Sequence, residues 1–148
     1  RELLNSFQLD PKYVPLEITE SATINNSDIS SLIEQFHEAG FTLLLDDFGS
    51  GYSSFSVLTN ADLNTLKIDR SLFQNESDTR ERILVRHIVE TAKELEMKVI
   101  AEGVETRGYV DILKELGCDY IQGFVFYKPM PAEEFEQRFI IGNEKAEI

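Results

Sequence analysis

Leu43-Leu44-Leu45-Asp46-Asp47-Phe48-Gly49-Ser50-Gly51-Tyr52-Ser53-Ser54 is the stretch on which the fold turns. An apolar run stops at two adjacent carboxylates, and a glycine-serine loop follows at once. A buried parallel strand has this form when it carries acidic side chains to the mouth of a sheet or barrel and then turns back. Neighbouring aspartates repel each other, so holding them together calls for a cation or strong donors between them. The pair is therefore expected at a metal site.

Upstream, Ser27 is expected to cap a helix running to about Ala39, with Gly40 as its stop and Ile29, Leu32, Ile33 and Phe36 as its buried stripe. Before it, Tyr13 to Thr19 is β-prone and places Glu17 and Glu20 near a strand's carboxyl end. The strand at the aspartates is expected over Phe41 to Leu45. Downstream, Gly49 and Gly51 permit backbone angles closed to other residues, and a short helix follows from about Ser53 to Leu58. Leu66-Lys67-Ile68-Asp69 alternates, which fits a half-exposed strand or a barrel strand with functional interior positions.

A helix from about Arg80 to Glu96 is expected to bury Ile83, Leu84, Ile88, Ala92 and Leu95. Lys98 to Glu105 again runs from apolar residues into carboxylates. Thr106 caps a helix carrying Tyr109, Ile112, Leu113 and Leu116, and Gly117 stops it. Tyr120-Ile121-Gln122-Gly123 is a last brief strand, followed by an irregular connection, a helix with Phe135 and Phe139, and a frayed tail over 142–148.

Regular alternation of five strands with helices predicts an α/β fold of parallel strand-helix repeats in one domain over residues 1–148. The length allows one core and is too short for two. A net charge of −13 disfavours a nucleic-acid polymer or an anionic membrane surface as partner. A small anion still suits the chain if metal ions supply local positive charge. The single cysteine, Cys118, excludes an intrachain disulfide and reads as a small buried thiol rather than a nucleophile. A cytoplasmic location is expected, compatible with a parent anchored to a membrane through other domains.

In a parallel architecture the strand carboxyl ends meet at one face. Glu17, Asp46 with Asp47, Lys67 with Asp69, Glu102 and Gln122 are therefore expected to converge. Each alone has an ordinary reading as a polar strand end; together they point to a site. Oxygen donors without histidine favour Mg²⁺, Mn²⁺ or Ca²⁺ over zinc or copper, and His37 and His87 fall in helices away from the mouth. Two adjacent aspartates suit two ions, the usual equipment for attack of water on a phosphodiester. A lysine beside them orients the water or offsets charge on the non-bridging oxygens.

Leu16-Glu17-Ile18-Thr19-Glu20-Ser21, Asp46 to Ser54, Leu66-Lys67-Ile68-Asp69-Arg70-Ser71, Ile100-Ala101-Glu102-Gly103-Val104-Glu105-Thr106 and Gln122-Gly123-Phe124 together resemble, in order, motifs of the EAL domain. The resemblance covers nearly the whole chain. It implies a modified TIM (β/α)8 barrel, of which this chain carries the last five strands. It also implies a bacterial second-messenger enzyme, a phosphodiesterase cleaving cyclic di-GMP to linear pGpG with Mg²⁺ or Mn²⁺. A complete site would hold two ions, with Ca²⁺ as an inhibitory ion.

Carried over by position, Glu17, Asp46, Asp47 and Glu102 resemble metal ligands. Glu102, Lys67 and Asp69 resemble the catalytic group, with Glu102 as candidate base and Lys67 touching water or phosphate. Asp47, Glu105 and Gln122 resemble substrate-pocket residues. Glu20 resembles the glutamate that supports the loop containing Gly49 and Gly51, a loop tied in the family to metal binding and dimer contact. Ser50 stands where threonine is more usual. The Glu-Ala-Leu motif is absent from the sequence, as is the asparagine of the family's following Asn-x-Ser motif; both belong to family strands that would precede Arg1, and with them go two expected metal ligands and about three strands. The expectation is a fragment of a longer parent, weakly active or inactive alone, whose open edge is covered by a second copy or another chain. The competing expectation is an inactive module that binds cyclic di-GMP or a protein partner.

Overall fold

A computed structural model describes residues 2–24, 29–51, 56–60 and 62–142. The expected Ser27 cap, Tyr52 to Ser54, the start of the helix after them and the tail beyond 142 lie outside the described residues.

Five strands form one parallel sheet: β1 (Leu16–Thr19), β2 (Leu43–Phe48), β3 (Thr65–Ile68), β4 (Lys98–Ala101) and β5 (Tyr120–Ile121). Their order in space is their order in the chain. Helix α1 (Glu2–Ser6) precedes the sheet. Helices α2 (Glu20–Ile24) and α3 (Ile29–Glu38) link β1 to β2, and α4 (Ser56–Asn60) links β2 to β3. Helices α5 (Thr79–Glu94) and α6 (Arg107–Leu116) complete the next two crossovers, and α7 (Ala132–Phe135) follows β5.

The register sorts the strand residues onto two faces. Glu17 pairs with Leu44, Leu44 with Thr65, and Lys67 with Ile100. With a period of two, Glu17, Asp46, Lys67 and Glu102 then share one face. The opposite face carries Ile18, Leu43, Leu45, Leu66, Ile68, Val99 and Ala101, all buried in one cluster with Ile33, Val85, Ile88, Val89, Val110 and Leu113 of the helices. At the strand starts, Asn64 Oδ1 accepts from Leu43 N (2.8 Å) and Asp119 Oδ2 from Val99 N (2.8 Å), so amide groups that the ladder leaves over are satisfied.

Several sequence expectations need correction. The first strand begins at Leu16, because Asp10 caps a 3₁₀ turn over Pro11–Tyr13 by accepting from Lys12 N. The second runs three residues past Leu45, so both aspartates lie within the strand. Glu20 opens α2 and is buried. In α5 the buried row is Val85, Ile88, Val89 and Ala92, while Ile83, Leu84 and Leu95 are exposed. Val85, Ile88, Val89 and Ala92 follow the i, i+3, i+4, i+7 rule, and Ile83 falls nearly opposite them on the helical wheel. Past Phe135 the last helix widens into a π-helical turn, Glu136–Ile141, in which Phe139 packs on Phe135 and Tyr127 at 5.0 Å each.

The α6 expectations agree with the structure: Thr106 Oγ1 accepts from Tyr109 N, and Gly117 closes the helix at φ 89°. Among the described residues, no helix is long and apolar enough to cross a membrane. Burial, with the Asp119 carboxylate adding to it, pushes the Cys118 thiol up to about 12. Only the thiolate reacts, so Cys118 is expected to take up iodoacetamide at pH 8 at least ~100-fold more slowly in the native chain than in denaturant. Mass spectrometry of timed samples checks this; equal rates would show a thiol that burial does not protect.

Candidate functional site

Lys67 occupies the middle of β3, itself the middle strand, and its side chain is only 6% exposed. Its ammonium lies 2.5 Å from Glu17 Oε1, 2.9 Å from Asp46 Oδ1 and 2.8 Å from Glu102 Oε1. Those carboxylates come from β1, from β2 and from the residue after β4. Three successive strands and the residue that follows the fourth thus contribute one charged group each, because all four positions fall on the same face of the sheet.

Burial alone would lower the Lys67 pKa, but the surrounding carboxylates of Glu102, Glu17 and Asp46 outweigh it and hold the ammonium well above its ordinary range. Glu102 is shifted upward: burial dominates, Asp46 and Glu17 add repulsion, and Lys67 offsets only part of it. One positive charge faces three carboxylates, so the cluster remains electron-rich. Asp46 Oδ1 is buried and lies near Nζ off the hydrogen-bond direction, so no directed donor satisfies it. An oxygen in that state, in a donor set made wholly of carboxylates, suits a hard divalent cation.

Asp47 is placed differently from Asp46. Between Leu45 and Phe48 the β2–β3 register gains a residue on β2: Leu45 pairs with Leu66, but Phe48 pairs with Ile68. Asp47 sits in this bulge at φ 59° and is exposed, and Phe48 returns to the buried face. Aspartate is among the few residues that tolerate the left-handed region. Replacing Asp47 with glycine should leave stability unchanged or slightly raised, and Asp47→Val should cost about 1–2 kcal/mol. Urea midpoints of the two variants test this; equal midpoints would remove the strain argument.

The remaining expected residues are not among the three carboxylates that Lys67 contacts. Asp69 accepts from Ser71 N (2.9 Å) and caps a 3₁₀ turn over Arg70–Leu72. Glu105 pairs with Arg70 Nη1 at 2.6 Å, tying the loop after β4 to the loop after β3. Gln122 is exposed on the rim of a groove of about 970 Å³ shared with Phe124, Phe135 and Phe139. Glu20 is buried at the start of α2, which packs on β1 and β2. Gly49 takes φ 99° over the Leu72 side chain, and Ser71 Oγ donates to its carbonyl (3.1 Å); Gly51 lies outside the left-handed region, in open space. Among the described residues, no three His, Cys, Asp or Glu side chains form a group able to hold a metal ion.

Arg70 lies within one of the motifs, but the sequence alone assigns it no role. It pairs with Glu105, and its side chain covers Gly103, whose φ is 66°. Its only sequence signal was its place directly after Asp69.

A family model described as EAL domain matches residues 1–129. The bifunctional diguanylate cyclase/cyclic di-GMP phosphodiesterase MucR of Pseudomonas aeruginosa is 41% identical over 137 residues, covering 90% of this chain and 20% of that protein. The solved c-di-GMP complex of the PaMucR phosphodiesterase superposes with a TM-score of 0.83 at 37% identity, covering 91% of this chain and 56% of that one. Klebsiella pneumoniae BlrP1, solved with cyclic di-GMP and either manganese or calcium, gives a TM-score of 0.79 at 32% identity over 86% of this chain and 33% of its own. The chain spans only 18% to 26% of the length of curated relatives such as these. Motifs, strand order and matched structures agree: this chain belongs to the EAL domain family, and its five parallel strands correspond to part of that family's barrel.

Proposed function

We propose that this chain is the C-terminal part of a cyclic-di-GMP phosphodiesterase domain, which hydrolyses cyclic di-GMP to linear pGpG. The observation that carries the reading is the meeting of Glu17, Asp46, Lys67 and Glu102 on one face of four neighbouring strands. Glu17, Asp46, Asp47 and Glu102 are the residues that would hold Mg²⁺ or Mn²⁺. Such ions supply Lewis-acid polarisation of a phosphodiester oxygen and a more acidic water.

Lys67 then contributes a fixed positive charge beside a phosphoryl group. Glu102, raised by burial, is the group placed to accept a proton from water. Asp69, through the turn it caps, and Glu105, through Arg70, position the loops after β3 and β4 around the substrate, and Gln122 lines the far side. Glu20 and Gly49 support the loop that follows the aspartates. Exposed Leu3, Phe7 and Tyr13 at one end and Phe124, Phe135 and Ile140 at the other support a covering partner, a second copy or further strands of a parent.

For the chain by itself, one observation favours binding without turnover: Lys67 holds the described carboxylates, and no described trio is arranged to hold a metal ion. Hydrolysis of cyclic di-GMP, followed by chromatography of pGpG with Mg²⁺ or Mn²⁺, tests the reading. A parent protein containing this sequence should turn over, and the 148-residue chain should bind with little or no turnover. A parent rate untouched by Asp46→Ala or Glu102→Ala would remove it.

A further inference from the structure

We propose that Lys67 is a resident cation of this site: its ammonium holds Glu17, Asp46 and Glu102 together until a divalent ion arrives, and then competes with that ion for the same oxygens. This rests on the reading that the carboxylates take divalent metal. It adds a regulatory term, a built-in charge that sets how readily the site loads.

An ammonium has three N–H groups, and three carboxylate oxygens lie within 2.5 to 2.9 Å of Lys67 Nζ. Without it, three carboxylates from three strands would face one another with nothing between them, and mutual repulsion would push β1, β2 and the β4 end apart. The Lys67 side chain is only 6% exposed, so the charge is fixed in place by the fold rather than recruited from solvent. One ammonium against three carboxylates leaves two negative charges unbalanced. A divalent ion matches that remainder, while its ligands must be drawn from oxygens that Nζ already touches. The buried Asp46 Oδ1, held by charge without a directed donor, is the oxygen most easily surrendered.

The test compares wild type with Lys67→Met, which keeps the stem and removes the charge. Mn²⁺ binding is read by electron paramagnetic resonance of free Mn²⁺, and melting is followed in EDTA and in Mn²⁺. In EDTA the variant should melt at least ~5 °C lower, and Mn²⁺ should return most of that loss while moving wild type little. Its apparent Mn²⁺ affinity should be at least about tenfold tighter, since a fixed positive charge beside the ion has gone. If Lys67→Met does not fold in EDTA, Glu102→Gln and Glu102→Gln/Lys67→Met replace the pair, and the double variant should bind Mn²⁺ more tightly than the single.

Wild type that binds Mn²⁺ while the lysine-free variant binds no tighter would overturn the proposal and leave the metal reading standing. Absence of Mn²⁺ binding in every form would overturn the metal reading itself, and the competition with it. A purely structural lysine predicts the melting loss but not the gain in affinity.

Discussion

Glu102→Gln, introduced into a hydrolytically competent parent of this chain, is expected to lower cyclic-di-GMP turnover by about a thousandfold, within the range for loss of a positioned acid-base group together with its charge. The substitution keeps the shape of the side chain, so the loss reports charge and proton affinity rather than packing. Glu102 is set apart from nearby acids by its surroundings: it is mostly buried, its carboxyl is raised, and it lies against Lys67. Glu105, three residues on, is half-exposed and paired with Arg70. Glu105→Gln is expected to change turnover by no more than about tenfold, mainly through substrate affinity, because it touches the cluster only through a loop. The kcat and KM of both variants at saturating Mg²⁺ separate the two. Comparable losses in kcat would mean that the charged cluster is not the reacting centre.

Much of this arrangement was legible in the sequence, because its cause is simple periodicity. Apolar runs ending in acids mark parallel strands, and a two-residue period carries Glu17, Asp46, Lys67 and Glu102 to one face once the strands are in register. The Asp46-Asp47 pair was less legible. Strict alternation would set the two on opposite faces, and only the bulge, with Asp47 at φ 59°, decides where each goes. Nothing in a run of three leucines and two aspartates announces an inserted residue. The α5 row was misread for a different reason: several apolar residues flank the true stripe, and Val85 and Val89 compete with Ile83 and Leu84 for the buried side. Only packing against the sheet settles that choice. Lys67 shows the same limit, since its three contacts depend on strands that are fifty residues of sequence apart or less but meet only in the fold.

Gly123→Ala is expected to cost about 3 kcal/mol or more. A methyl group there would fall within 3.0 Å of the carbonyl oxygen, nitrogen and carbonyl carbon of Val104. Those atoms cannot swing aside, because Val104 N donates to Gln122 O (3.1 Å) and Val104 O accepts from Val125 N (3.1 Å). The close approach locks the loop after β4, which carries Glu102 and Glu105, to the loop after β5, which carries Gln122. Gly108 offers the control. A methyl there would also come within 3.0 Å of other atoms, but they belong to the carboxylate of Glu76, the end of a flexible side chain. Gly108 lies in the first turn of α6, where alanine gains about 1 kcal/mol of helix propensity. That gain should offset the shift of Glu76 away from the Thr106 hydroxyl it contacts, leaving Gly108→Ala within about 0.5 kcal/mol of wild type. Chemical denaturation of both variants decides the matter. Equal destabilisation would mean that crowding alone sets the cost; a loss confined to Gly123 would show that backbone contact between the two loops holds this edge of the site.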